Sequence, residues 1–129
     1  MKATFMNAWG YQGDNMNLPV ADVEAAAAFY ERVMGFRVES RNDVPYKSAV
    51  LVRDDIKIGL AENGGDPTQD GCAFRVDDVQ AAAAEFKANG LQKEISELKM
   101  EKRDDGSEWK VFFVVAPDGL CYWFGQRMN

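Results

Sequence analysis

Histidine is missing from this chain of 129 residues, and with it the usual general base at neutral pH and the commonest transition-metal ligand. Cysteine is nearly as scarce. Cys72 and Cys121 are the only two and are not in CxxC spacing, which fits reduced thiols in a reducing compartment. No apolar run approaches the roughly 18 residues needed to cross a bilayer. The first ten residues carry neither the continuous apolar stretch nor the small-residue cleavage site of a secretion signal. Basic residues are in deficit, 15 Lys and Arg against 21 Asp and Glu, for a net charge of −6. A general nucleic-acid binder needs the opposite balance to displace counterions. These absences exclude a disulfide scaffold and point to a soluble cytoplasmic protein with neither nucleic acid nor membrane as partner. What is present is globular: 47% hydrophobic and 28% charged residues, enough for one domain over residues 1–129 with one core.

The informative feature is an internal repeat. Val20-Ala-Asp22-Val23-Glu-Ala-Ala-Ala-Ala28-Phe-Tyr30 returns 56 residues later as Val76-Asp-Asp78-Val79-Gln-Ala-Ala-Ala-Ala84-Glu-Phe86. In each copy an aspartate stands where its carboxylate can accept the orphan amides of a first helical turn. Alanine runs favour helix. Val23, Ala27, Tyr30 and Met34 (or Val33) make one apolar stripe, and Val79, Ala82, Ala83 and Phe86 make the other. Gly35 and Gly90 stand where each helix should end. Alternating runs place strands at Asn15–Val20, Phe36–Arg41, Tyr46–Arg53 and Ile56–Ala61, then at Cys72–Val76, near Lys93–Lys99, at Trp109–Val115 and at Leu120–Gln126. Asn63-Gly-Gly-Asp-Pro67 reads as a linker within 63–69, between a first module at about 14–62 and a second at about 70–126. The expected fold class is α+β, with two βαβββ modules in one domain.

Leu18-Pro-Val-Ala-Asp22, Phe29-Tyr30, Met34-Gly35-Phe36 and the late Pro117-Asp118-Gly119 turn together resemble the vicinal oxygen chelate superfamily of glyoxalases, bleomycin-resistance proteins and extradiol dioxygenases. The resemblance runs from about Asp14 to Gln126. It implies curved mixed sheets enclosing a cleft, with helices outside. In metal-using members of that superfamily, ligands come from the first and last strands of each module. Carried over by distance from the motif residues, those places fall on Asn15, Gly59, Gly71 and Trp123. Family ligands there are His, Glu or Gln, so the expectation is no metal and no cofactor. Asp14, Asp70 and Cys121 lie nearby, but an adjacent strand residue faces the other way. Cys121 shares the parity of Trp123, yet a lone thiolate beside Asn15 is not a zinc or iron site.

Taking those four places as facing the cleft, alternation aims Asn15, Asn17, Lys57, Gly59, Ala61, Gly71, Ala73, Arg75, Cys121, Trp123 and Gly125 inward. Met16, Leu18, Val20, Ile56, Ile58, Leu60, Cys72, Phe74, Val76, Tyr122 and Phe124 then face the helices. The second set is apolar, as a helix-covered sheet face must be. It also separates the two cysteines, which argues against a disulfide. The expected ligand-binding residues are Asn15, Asn17, Lys57, Gly59, Gly71, Ala73, Arg75, Cys121 and Trp123. Trp123 would be either an open stacking surface or a plug, and Lys57 and Arg75 would attract an anionic group or stay solvated. Trp109, Phe112 and Phe113 sit in a strand apolar on both faces, so they read either as core, the preferred reading, or in part as lining of the cleft. Trp9 and Tyr11 read as a cover for one cleft mouth, a subunit interface or a stapled terminus. Lys93–Asp105 reads as a solvated hairpin.

The leading functional expectation is binding or sequestration of a small planar or aromatic molecule, of the antibiotic-resistance type, by a homodimer. An alternative is an isomerase-like or other superfamily enzyme using Glu62 or Cys121, with Glu39 as the other strand carboxylate suited to acid–base work. A dimeric scaffold without ligand is the third reading, because fold alone does not assign function.

Overall fold

The computed structural model describes residues 2–91 and 95–129. The two repeats form the two helices. Helix α1 (Val23–Met34) starts at Asp22, whose carboxylate accepts the Ala25 amide, and ends at Gly35 in the left-handed region at φ 72°. Helix α2 (Val79–Ala88) starts at Asp78, whose carboxylate accepts the Ala81 amide. A side chain at the end of the last strand of the same module, just past strand Ile56–Ala61 in one case and within strand Cys121–Arg127 in the other, adds a second acceptor to each first turn. Glu62 takes the Val23 amide at 3.0 Å and Gln126 takes the Val79 amide at 3.0 Å.

Strand order repeats as well. In the first sheet, β2 (Leu18–Pro19), β3 (Arg37–Asn42), β4 (Ser48–Arg53) and β5 (Ile56–Ala61) lie in the order β2-β5-β4-β3. In the second, β6 (Gly71–Val76), β7 (Lys99–Lys102), β8 (Glu108–Val115) and β9 (Cys121–Arg127) lie in the order β6-β9-β8-β7. The first strand of each module runs parallel to its fourth, and the other neighbours are antiparallel. A fifth strand, β1 (Phe5–Gly10), pairs antiparallel with the free edge of β6. The architecture is therefore α+β with two mixed sheets and two helices.

Four expectations need correction. Residues 5–10 form a strand and are not merely a segment preceding the first one; a register shift between Phe5 and Asn7 breaks the alternation that would have revealed it. Only Leu18–Pro19 of the expected Asn15–Val20 strand is extended. The Asp14 carboxylate accepts the Met16 amide at 2.9 Å and turns the chain there, a local bond that competes with a ladder. That turn leaves Met16 43% exposed, not packed on a helix. The strand expected near Lys93–Lys99 instead begins at Lys99, and residues 92–94 of that expectation lie outside the described residues.

The other ten residues assigned to the helix side are all buried in one cluster that draws on both modules. Its centre is aromatic, with Phe112 stacked on Phe124 at 4.9 Å and Phe74 at 5.2 Å from Phe124. Two polar devices join the modules. Arg53, 8% exposed, donates to the Met34 carbonyl at 2.6 Å, to the Ala3 carbonyl at 3.0 Å and to both Glu85 oxygens at 2.7 and 2.8 Å. Tyr122 donates to the Tyr30 hydroxyl at 2.5 Å, and Tyr30 donates to Asp118 of the Pro-Asp-Gly turn at 2.9 Å. Such fully satisfied buried pairs specify how elements dock, because a shifted partner leaves a buried polar group orphaned.

Candidate functional site

The face of the second sheet turned away from the helices carries all three tryptophans. Register explains their meeting. Trp9 pairs with Ala73, Ala73 with Trp123, and Trp123 with Phe113, so one row crosses β1, β6, β9 and β8. A second row runs Asn7, Arg75, Gly125, Val111 and Lys99. A third sets Arg127, Trp109 and Glu101 side by side. The Trp123 ring lies 5.5 Å from that of Trp109 and 6.1 Å from that of Trp9. Gly125 makes room for it, since a Cβ there would come within 2.1 Å of the indole.

This face is aromatic at its floor and cationic above. Trp123 is 5% exposed and Trp109 9%, whereas Trp9 is 39% exposed. The Trp123 indole N–H donates to Glu101 at 3.2 Å, and that of Trp109 to the Ser107 hydroxyl at 2.9 Å. The Arg103 guanidinium sits 5.0 Å over Trp123 and 5.8 Å from Trp109, and that of Arg75 lies 5.6 Å from Trp109. The Lys99 ammonium stands 5.0 Å over Phe113. Trp123 is thus a covered floor and not an open stacking surface; the accessible indole is Trp9. Trp109 and half-buried Phe113 belong to this face and only Phe112 to the main core. The stretch read as a solvated hairpin supplies Lys99, Glu101 and Arg103 to it. Their alternation of charged residues was visible in the sequence, but nothing local showed that the charged side would meet indoles.

The remaining expected residues divide between the sheets. Gly71, Ala73, Arg75, Cys121 and Trp123 share the face just described. Asn15, Lys57 and Gly59 lie together on the first sheet, where the Asn15 side-chain amide donates to the Lys57 carbonyl at 2.7 Å and the Gly59 amide donates to the Asn15 carbonyl at 2.9 Å. Asn17 is exposed, and its side-chain oxygen accepts from Asn63 at 3.3 Å. Lys57 pairs with Glu39 at 3.1 Å, and both edge an open groove of about 520 Å³ that also includes Lys2, Arg37 and Asp55.

The four places implied by the resemblance do not fit a metal. A Cβ on Gly59 would meet the Met16 carbonyl oxygen at 2.1 Å, and one on Gly71 would meet the Cys121 carbonyl at 1.9 Å and the Tyr11 ring at 2.5 Å. The Asn15 amide is engaged with backbone, and indole carbon offers no donor. No group of three or more Cys, Asp or Glu positioned to hold an ion occurs among the described residues.

The candidate acid–base groups also have structural employment. Glu62 caps α1 and Glu39 holds Lys57. Burial pushes the Cys72 thiol up to about 12. Burial also raises the Cys121 thiol, against a lowering contribution from its Tyr11 hydrogen bond. Burial likewise raises the Tyr11 hydroxyl, which lies beside Cys121. A nucleophilic thiol needs the opposite shift. Both cysteines are free, Cys72 buried and Cys121 half-buried.

Two βαβββ modules, with the same strand order and capped helices on one side, define the class. Residues 13–121 match the family model of the glyoxalase/bleomycin resistance protein/dioxygenase superfamily, and the chain belongs to that superfamily. A bleomycin resistance protein of Klebsiella pneumoniae is 32% identical over 108 residues, covering 80% of this chain and 82% of the relative. Among solved structures, the bleomycin resistance determinant encoded on the transposon Tn5 superposes with a TM-score of 0.69 at 28% identity, covering 88% of this chain and 96% of that one. A bleomycin-binding protein complexed with bleomycin superposes with a TM-score of 0.63 at 26% identity, covering 89% and 96%. No helix among the described residues is long and apolar enough to cross a membrane.

Proposed function

We propose that this protein binds and sequesters a small planar aromatic molecule, without metal and without converting it, as a homodimer in the cytoplasm. The observation that carries the reading is the gathering of Trp9, Trp109, Trp123 and Phe113 on one uncapped sheet face. Trp9, the accessible indole at the edge of that floor, stacks on a planar ligand, a contact contributing about 0.5–1.5 kcal/mol beyond area burial. The likeness to a bleomycin resistance protein and to a bleomycin-binding structure supports the same role. Sequestration needs no catalytic group, which agrees with the structural employment of Glu39 and Glu62 and the raised thiols.

Pairing is supported by exposed apolar side chains on β1 and in the segment after it: Met6, Trp9, Tyr11 and Met16 are 46%, 39%, 44% and 43% exposed. Edge strands with apolar side chains invite a partner, and a two-fold dimer is the simplest closure. A second copy would also wall the tryptophan face, so that the cleft forms between two chains. Calorimetric titration of a panel of planar aromatic compounds of differing charge tests the binding. We expect saturable binding to the parent and its loss in Trp9→Ala, with elemental analysis showing no stoichiometric metal. Absence of binding across such a panel, or light scattering that gives a monomer at tens of micromolar, overturns the respective part.

A further inference from the structure

The charge on the tryptophan face runs against the rest of the molecule. The chain as a whole has 21 acidic and 15 basic residues. On this face, among the described residues, Arg75, Lys99, Arg103 and Arg127 stand with the carboxylates of Glu101 and Asp105, and both of those are engaged. Glu101 accepts the Trp123 indole N–H, and Asp105 accepts the Ser107 amide at 2.9 Å and hydroxyl at 2.6 Å. Arg103 and Arg127 contribute to holding the Asp105 carboxyl below its usual range, after its bonds to Ser107.

The way the guanidiniums are held matters more than their number. Arg75 and Arg103 lie over indole rings at 5.0–5.8 Å. Neither has an ion pair or side-chain hydrogen bond to another described residue. A guanidinium held over a ring without such partners keeps N–H groups free, and those are the donors that match a carboxylate or phosphate in two-point geometry. Lys99 adds a third cation, over Phe113.

We infer that the tryptophan face selects planar aromatic anions, rings bearing a carboxylate, sulfonate or phosphate, over neutral or cationic rings of the same shape. The ring lies against Trp9 and the guanidiniums above the indole floor, and the anionic group takes the free N–H groups of Arg75 and Arg103. A cationic ring would have to displace Arg103 and meet Arg75 and Lys99. The inference rests on the proposed binding role of this face and specifies its ligand class.

The test is a charge series on one ring: naphthalene-2-sulfonate, naphthalene-2-carboxamide and 2-naphthylmethylammonium, titrated into the protein of 129 residues by calorimetry and ligand-observed NMR. The sulfonate should bind at least tenfold more tightly than the ammonium. Its affinity should fall threefold or more in Arg103→Gln and in Arg75→Gln, and should weaken with added salt. The amide should change little in either variant and should be lost in Trp9→Ala. Amide and ammonium binding that equals the sulfonate's overturns the anion preference while leaving the binding role standing. Failure of all three to bind removes the binding role and the preference with it.

Discussion

The two modules share one face and differ on the other. On the helix side they are nearly interchangeable, each with an aspartate cap, a strand side chain added to the first turn and an alanine-rich helix on apolar strand residues. On the opposite face they diverge. The first sheet has Gly59 pressed under the Met16 backbone, with Lys57 and Glu39 paired at its margin. The second has tryptophans beneath arginines. Packing against a helix constrains side-chain volume tightly, so both copies of that face obey the same rule. A face without a helix is bound only by alternation, and there the copies were free to become a backbone lid in one case and an aromatic floor in the other.

The largest expected effect lies where the modules meet. Arg53→Ala leaves Glu85 buried and unpaired, a loss of about 3–5 kcal/mol. Urea melts should show it as a lower midpoint, and Arg53→Met with Glu85→Leu should recover much of the loss. Full stability in Arg53→Ala would mean that the junction is held by apolar contact alone.

Next is the aromatic floor. Trp123→Ala opens a cavity beside Trp109 and Gly125 and should cost about 3–5 kcal/mol. Trp9→Ala, at an exposed edge, should cost under about 1 kcal/mol. Equal losses in denaturant melts would abolish the distinction between covered floor and accessible indole.

The matching position in the first sheet should respond through its backbone. Gly59→Ala forces a Cβ against the Met16 carbonyl, which strains the 14–16 turn by about 1–3 kcal/mol. Thermal melts check it, and an unchanged midpoint would show that the turn yields freely.

The smallest effect is a dependence on pH at Asp118, whose carboxyl is raised above 3.8 chiefly by burial. Below 3.8 it is protonated in folded and unfolded chains alike, and its contribution is fully present. As pH rises through the raised folded value that contribution is lost, because the unfolded chain ionises more readily. Asp118→Asn should therefore flatten the fall of stability on the alkaline side of 3.8, seen by urea melts at stepped pH. A steeper fall in the variant would reverse the sign.

Much of this was legible because it is local or periodic. The caps at Asp22 and Asp78, the strand at Ile56–Ala61 and the buried sides of β6 and β9 all follow from spacing. Strand β1 was not, since its register shift hides the alternation and its partner, β6, is more than sixty residues away. Arg53 likewise looks like any strand-end arginine until Glu85 arrives from the other module.

The binding face divides in the same way. The family resemblance set Gly71 and Trp123 on one side of the second sheet, and alternation then added Ala73, Arg75 and Cys121 to it, because successive strand residues must alternate. Alternation also gave Trp109 and Phe113 one shared side, without saying which. Only the tertiary structure brought Trp9 beside Trp123 and laid Arg103 over it, while Met16 closed over Gly59. Those contacts depend on which strand edges pair and where a turn folds back. Both are settled by the total burial and hydrogen bonding of the assembled sheets, not by any one segment.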